Sequence, residues 1–336
     1  MKCEFYFDST DSRTKVHGIE WIPDGEPRAI LQLIHGMNEY IDRYDEFATY
    51  MMNQGFYVIG NDHVGHGKSV VSDDDYGFFK EKNGNNVLLE DLETVRRRAA
   101  EKYPDIPYFI LGHSMGSFLA RQFIARHGEN LSGAVIMGTA EQPGAAVNFG
   151  IYYSSALEKI WGPRHRSKTL RYLTLGSNNS KFEHRTPADW LSKNESNIDS
   201  YVSNPMCTFT FTTSGFRDMF LSIKDCQSKD TIERIPKNLP LLVTSGSDDP
   251  VGNFGKGVRQ AYQSYVDAGI KDVTLKLYPG DRHEILNELD REEVYQDLLT
   301  WFESHLDANA GKPEADESSA TSGETCATDL NAGESK

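Results

Sequence analysis

The stretch Ile110-Leu111-Gly112-His113-Ser114-Met115-Gly116-Ser117 decides the fold. Glycines stand two positions either side of Ser114. Tyr108-Phe109-Ile110-Leu111, an apolar run with strand character, leads in, and residues 115–126 carry apolar side chains at helical spacing. A serine on a sharp strand-to-helix turn has its hydroxyl pushed out of the sheet, and the glycines let the crowded backbone pass. The helix that follows aims unsatisfied amides and its dipole at the same spot, which suits a developing oxyanion. A purely structural turn fits the same pattern, so the deciding signal must come from the other strand ends.

Outward from this turn, short apolar runs at 4–7, 16–21, 29–34, 57–60, 108–111, 134–137, 241–244 and 273–278 read as strands. Helical patterns at 44–53, 87–102, 115–126, 257–268 and 293–305 lie between most of them. Such alternation predicts an α/β fold with a mostly parallel, eight-stranded, doubly wound sheet and helices on both faces. The first two runs have no helix between them and predict a hairpin at the sheet edge. The alternation stops over residues 141–234, a segment rich in large aromatics with no convincing buried strand. We read it as a helical cap inserted between two parts of one core, 1–140 and 235–306. Residues 307–336 lack aromatics and nearly lack large aliphatics, which predicts a disordered acidic tail.

Functional groups of an open parallel sheet gather beyond the carboxyl ends of its strands. After the 29–34 run comes His35-Gly36-Met37, where the amide of Met37 can join that of Met115 as an oxyanion donor. Ser245-Gly246-Ser247-Asp248-Asp249-Pro250 follows the 241–244 run and supplies a carboxylate; spacing alone does not choose between the two aspartates. After the 273–278 run comes His283. A serine needs an adjacent base, and the base an orienting third group. The chain order serine, acid, histidine at successive strand ends is that of the α/β-hydrolase fold.

The formal net charge of -15 argues against nucleic acid as a partner. Cys3, Cys207, Cys226 and Cys326 are far apart without metal-ligand spacing, so we expect free thiols in a reducing compartment. The N-terminal MKCEFYFDSTDSR lacks the apolar run of a signal peptide, and no apolar run approaches a membrane span. The expected location is the cytoplasm. The run Asp73-Asp74-Asp75 reads as a solvated loop.

The chain resembles α/β-hydrolases of the monoacylglycerol lipase and lysophospholipase group, also described as serine aminopeptidase S33-like. The stretches that carry the resemblance are LIHGMNEYIDRYDEFATYM, GFYVIGNDHVGHGKS, ILGHSMGS, VTSGSDDPVG and KLYPGDRHEILNE, spanning Leu33 to Glu288. It implies Ser114 as nucleophile, His283 as base, and Asp249, at the end of a Gly-x-x-Asp pattern, as the acid. It implies backbone oxyanion donors at Met37 and Met115. The family's D-x-x-G-H-G-x-S motif falls on Asp62 to Ser69, read as a scaffold loop and not a metal site. Hydrolysis of a carboxylic ester through an acyl-enzyme follows, with no metal or cofactor. The expected partner is a small ester or lipid substrate, with transient membrane contact through the cap. Phe149, Tyr153, Met206 and Phe209 are expected to face the substrate, while most cap aromatics are expected to pack the cap onto the core. An aminopeptidase, the alternative, needs an acidic group for the substrate amine, and Glu141, Glu183, Glu195 and Asp199 are the candidates in the cap. A non-catalytic ligand-binding version of the fold is the third possibility.

Overall fold

A computed structural model describes residues 1–306, so the expected acidic tail and Cys326 lie outside the described residues. Eight strands form one sheet: β1 (Lys2–Asp8), β2 (Lys15–Trp21), β3 (Ala29–Ile34), β4 (Phe56–Asn61), β5 (Tyr108–His113), β6 (Gly133–Met137), β7 (Leu241–Gly246) and β8 (Val273–Tyr278), in the order β1-β2-β4-β3-β5-β6-β7-β8. The first pair is the expected edge hairpin, with Cys3 opposite Glu20 and Phe5 opposite Gly18. β2 joins β4 antiparallel, and every later pairing is parallel. Strands β3 to β7 are buried along their whole length, which is why they read as unbroken apolar runs in the sequence.

Alternate strand residues feed opposite cores. Ala29, Leu31, Leu33, Phe109, Leu111 and Val135 pack with α1 (Asp45–Asn53) on one face. Ile30, Ile34, Ile110, Ala134 and Ile136 pack on the other, with α2 (Gly84–Lys102) and α3 (Met115–His127).

Between β6 and β7 lie six helices and, among the described residues, no strand: α4 (Gly144–Trp161), α5 (Lys168–Leu175), α6 (Glu195–Ser203), α7 (Pro205–Thr208), α8 (Thr213–Cys226) and α9 (Lys229–Arg234). α4 packs on α8, which rests on α3. Phe211 and Phe216 are fully buried there, as packing aromatics should be. Trp190 is buried too, and Tyr153, Phe182, Tyr201, Phe209 and Phe220 pack half-buried, so most cap aromatics do pack as expected; Phe149, Tyr152, Trp161 and Tyr172 are the exceptions, exposed on α4 and α5. After β7 the chain completes the two faces with α10 (Lys256–Asp267) and α11 (Arg291–Glu303), placed on the α2/α3 and α1 sides respectively.

Two expectations are corrected. Cys3 is disulfide-bonded, whereas Cys207 and Cys226 are free and buried. Asp75 is not solvated: it is buried and takes Arg13 at 2.6 Å and Arg164 at 2.7 Å, while Asp73 and Asp74 stay exposed. No helix among the described residues is long and apolar enough to cross a membrane.

The sheet reverses direction of winding at β3/β5, where Ile34 lies level with Gly112 and the two carboxyl ends emerge side by side. The first turn of α3 is pressed onto that seam. A Cβ on Gly116 would sit 2.1 Å from the Ile34 carbonyl oxygen and 2.5 Å from that of His35. Both obstacles are backbone, so neither can rotate away. Gly116→Ala is therefore expected to cost about 3 kcal/mol, at the upper end for overpacking. A urea midpoint unchanged from wild type would show that α3 does not sit this tightly.

Candidate functional site

Ser114 joins β5 to α3 with φ 55° and ψ -120°, a conformation side-chain-bearing residues rarely adopt. The strain is held by its surroundings. Its amide donates to the Met137 carbonyl on the neighbouring strand at 3.0 Å, and its own carbonyl accepts from the Ser117 hydroxyl at 2.6 Å. Strain kept in this way at a strand end marks a site where orientation matters.

His283 sits on the loop after β8, almost wholly buried. Its Nδ1 lies 2.9 Å from Asp249 Oδ2. Asp249 is fully buried and also accepts from the Ser245 hydroxyl at 2.7 Å and the Val251 amide at 2.8 Å. Burial penalises its charge, yet the His283 ring and these donors together hold the Asp249 carboxyl below its ordinary range. Asp248 is exposed and accepts only from the Ser247 hydroxyl among its side-chain partners here, so of the two adjacent aspartates it is Asp249 that meets His283. The His283 ring packs between Trp190 and His113, with centroids 5.1 and 4.7 Å away. The loop is tied down by the cap: Arg282 donates to the Asp189 carbonyl at 2.7 Å, the Glu284 amide to the Leu191 carbonyl at 2.7 Å, and Lys193 pairs with Asp281 at 2.6 Å.

A cavity of about 840 Å³ opens between the strand ends and the helical insertion. Met37, Ser114, Met115 and His283 all line it. The amide of Met37 finds no acceptor among the described residues, and Met115 opens α3, whose leading amides have no intrahelical partner. Of the four expected substrate-facing residues, Phe149 and Tyr153 line the cavity, stacked on each other at 5.6 Å. Met206 and Phe209 do not line it. Phe209 instead stacks against Tyr76, Phe211 and His66, and Met206 is held on the short α7 by its amide bond to Asn204. Trp190, Leu191, Met219, Phe220 and Ile223, not anticipated from sequence, line it.

Beneath the cavity lies a buried charge network that sequence reading also missed. His113 Nδ1 faces Glu39 Oε1 at 3.0 Å and its Nε2 faces the His283 carbonyl at 3.1 Å. Both partners are acceptors, so the ring satisfies both only as an imidazolium. Burial works against that charge, but the bond to Glu39 and the attraction of Glu39 raise the His113 pKa above its ordinary value. Arg43 clamps Glu284 through both Nη atoms, at 2.8 and 2.7 Å, and reaches Glu39 at 3.2 Å. Three carboxylates line the cavity, Glu39, Glu141 and Glu284, and each is bound to an internal cation, since Glu141 pairs with the fully buried Arg121. Of the other acidic residues considered for amine binding, Glu183 pairs with Arg282 and Asp199 with Arg185, and neither they nor Glu195 line the cavity.

On the D-x-x-G-H-G-x-S loop, Asp62 accepts from the Ile41 and Lys68 amides, each at 2.8 Å. His63 is bonded to His35 twice: its amide donates to His35 Nε2 at 2.9 Å, and its Nε2 donates to the His35 carbonyl at 3.0 Å. Burial lowers the His63 pKa to about 4, so the ring is neutral, with Nε2 carrying the proton.

A strained serine at the switch point of a parallel sheet, a buried acid–histidine pair and an inserted helical segment define an α/β-hydrolase. The chain belongs to the family described as serine aminopeptidase, S33, whose model matches residues 25–290. It is 30% identical over 299 residues to the monoglyceride lipase of Mus musculus, covering 87% of each chain. It is 28% identical to the monoacylglycerol lipase of Mycolicibacterium smegmatis, covering 85% of this chain and 92% of that one. Among solved structures it resembles a thermostable carboxyl esterase from Bacillus coagulans, with a TM-score of 0.85 and 30% identity over 91% of this chain and 99% of that one.

Proposed function

We propose that this protein hydrolyses carboxylic esters of single acyl chains, of the monoacylglycerol or lysophospholipid kind, through an acyl-enzyme on Ser114. The observation that carries the reading is Ser114 held on its strained turn at the wall of the cavity that His283 also lines, with His283 Nδ1 engaged by buried Asp249. That engagement leaves Nε2 to take the Ser114 proton as Oγ adds to the ester carbonyl. Asp249 keeps the ring in the required tautomer and stabilises its charged form. The carbonyl oxygen, now anionic, lies against the amides of Met37 and Met115. Collapse breaks the ester C–O bond, and His283 returns the proton to the departing alcohol. Water then attacks the acyl-enzyme, losing its proton to Nε2, and as the acyl C–Oγ bond breaks Nε2 returns that proton to Ser114 Oγ and the carboxylic acid leaves.

Lipid esters are favoured over peptides by the cavity. Among the described residues its carboxylates are all committed to internal cations, which leaves none of them to hold a substrate's free amine. A volume of about 840 Å³ fits an extended acyl chain. On α4 and α5, the cavity-lining Phe149 and Leu173 are exposed together with Tyr152, Ile160, Trp161 and Tyr172, a surface suited to transient contact with a lipid interface. The two-part core of residues 1–140 and 235–306, with the cap of 141–234 governing access, is the division of labour we propose. Turnover of p-nitrophenyl esters of rising chain length is the test, with an aminoacyl anilide alongside. Ester turnover with a medium- or long-chain optimum is expected; hydrolysis of the anilide alone would replace this reading with an aminopeptidase.

His63 has a place in this scheme as a positioning residue, because its ring holds the His35 carbonyl two residues before the Met37 amide. His63→Phe keeps the bulk and removes the donor, and should lower kcat about tenfold, less than loss of a whole oxyanion donor. KM should hardly move. His63→Gln keeps a donor at the same reach and should recover most of kcat. Equal losses in both variants would mean that the ring only fills space.

A further inference from the structure

The cap helices bring Val147, Leu170, Met219 and Ile223 to the cavity as an apolar wall. The segment after Asp249 brings Asn253, Lys256 and Gln260, all three exposed, so that they form part of its rim. Lys256 is the one lysine or arginine among the described residues lining the cavity. It is exposed, and no hydrogen bond or ion pair engages its ammonium among the described residues. The three cavity carboxylates are already neutralised by other cations, so the charge on Lys256 stands uncompensated in a chain of net charge -15.

The backbone beneath this rim is strained. Asn253, Phe254 and Gly255 are consecutive left-handed residues, with φ 49°, 54° and 80°. Such a conformation is tolerated in asparagine and glycine but costly in phenylalanine. It is held by the Phe254 amide on the Asp249 carbonyl and the Gly257 amide on the Gly252 carbonyl, both at 2.9 Å. The tight reversal turns Asn253 and Lys256 onto the cavity rim within seven residues of Asp249. A second ammonium stands beside it: Lys181 lies 3.8 Å over the Phe254 ring, and it too has no ion pair among the described residues.

We propose that this rim is a phosphate subsite. Lys256, with Asn253 and Gln260 as neutral donors, takes the phosphate of an acylglycerol phosphate, while the acyl chain lies along the apolar wall. The inference rests on the ester-hydrolase reading and specifies the leaving group: a glycerol phosphate in preference to glycerol. Lysine suits this role as a point charge reaching phosphate from a mobile stem.

The test compares kcat/KM for 1-oleoylglycerol and 1-oleoylglycerol 3-phosphate in the same neutral detergent micelles, using the full chain and its Lys256→Gln and Lys256→Glu variants. The quantity read is the ratio of phosphate ester to neutral ester. It should fall about tenfold in Lys256→Gln and further in Lys256→Glu, and in the wild type it should fall with added salt because the site is exposed. A ratio within twofold of wild type in both variants overturns the subsite. So does a wild type that hydrolyses the neutral ester and ignores the phosphate ester, which leaves the esterase reading standing. Turnover of neither ester, nor of any p-nitrophenyl ester, sinks the reading beneath it.

Discussion

Ser114→Ala should reduce ester turnover by about 10⁶-fold, to the level of whatever the oxyanion amides and binding alone contribute. The size of the expected loss follows from the role: Thr174 and Ser177 also line the cavity, but Ser114 is the hydroxyl residue there that sits on the strained strand-to-helix turn. The variant is unusually clean. It removes one oxygen and keeps the Cβ, which already fits tightly beside Gly36, where a hypothetical Cβ would lie only 2.9 Å from it. The amide bond to Met137 is untouched, so the turn and the cavity persist. Ser117, one turn along α3, is the internal control: its hydroxyl is fully buried and donates to the Ser114 carbonyl. A fluorophosphonate probe should label the wild type once, on the peptide containing Ser114, and should leave Ser114→Ala unlabelled. Retention of even one per cent of wild-type turnover, or labelling that survives the substitution, would mean that the chemistry lies elsewhere.

Why the strand-to-helix turn at Ser114 was legible while much of its setting was not is a matter of which forces leave a mark in sequence. Strands β3 to β7 are marked by apolar runs because they are central and buried, and the expected and observed ends of β3 to β8 differ by at most two residues. The strand-end residues are legible for a related reason: a topology fixed by the sheet brings Gly36, Ser114, Asp249 and His283 to one edge whatever the intervening chain does. The buried network has no such marker. Glu39 and Arg43 stand on a short polar stretch that reads as surface, and only folding against His113 and Glu284 makes them interior. Period cannot show this, because it reports which face is apolar and not which polar residues are paired.

The cap illustrates the same boundary. Its helices are legible as helices, but which of their faces meets the cavity depends on how α4 lies on α8 and α8 on α3. Hence Phe149 and Tyr153 fall on the cavity, Phe209 turns to the His66 side, and Met219 and Ile223 enter unannounced. Cys3 is a third case. Spacing gave no reason to pair it, since a disulfide depends on distances that only the fold supplies.

The adjacent aspartates give the sharpest comparison between the two kinds of information. Asp249→Asn should lower kcat by about 10³- to 10⁴-fold, because an amide at this position can offer N–H to His283 Nδ1 and so favours the wrong tautomer. The neighbouring donors act in the same direction: the Ser245 hydroxyl and the Val251 amide both require an acceptor at Asp249, and an asparagine satisfies them only in part. Asp248→Asn should change kcat less than twofold, because its carboxylate is exposed and bonded only to Ser247. The pH profile separates the two further. Asp249 is held below the ordinary carboxylate range, so its charge persists to lower pH than an ordinary carboxylate's, and loss of wild-type activity on mild acidification should not arise from protonation of Asp249. A larger defect in Asp248→Asn than in Asp249→Asn would reverse the assignment. Near-equal, small defects in both would mean that His283 keeps its tautomer through the packing of Trp190 and His113 alone, and that the buried carboxylate is there to balance charge and not to orient the base.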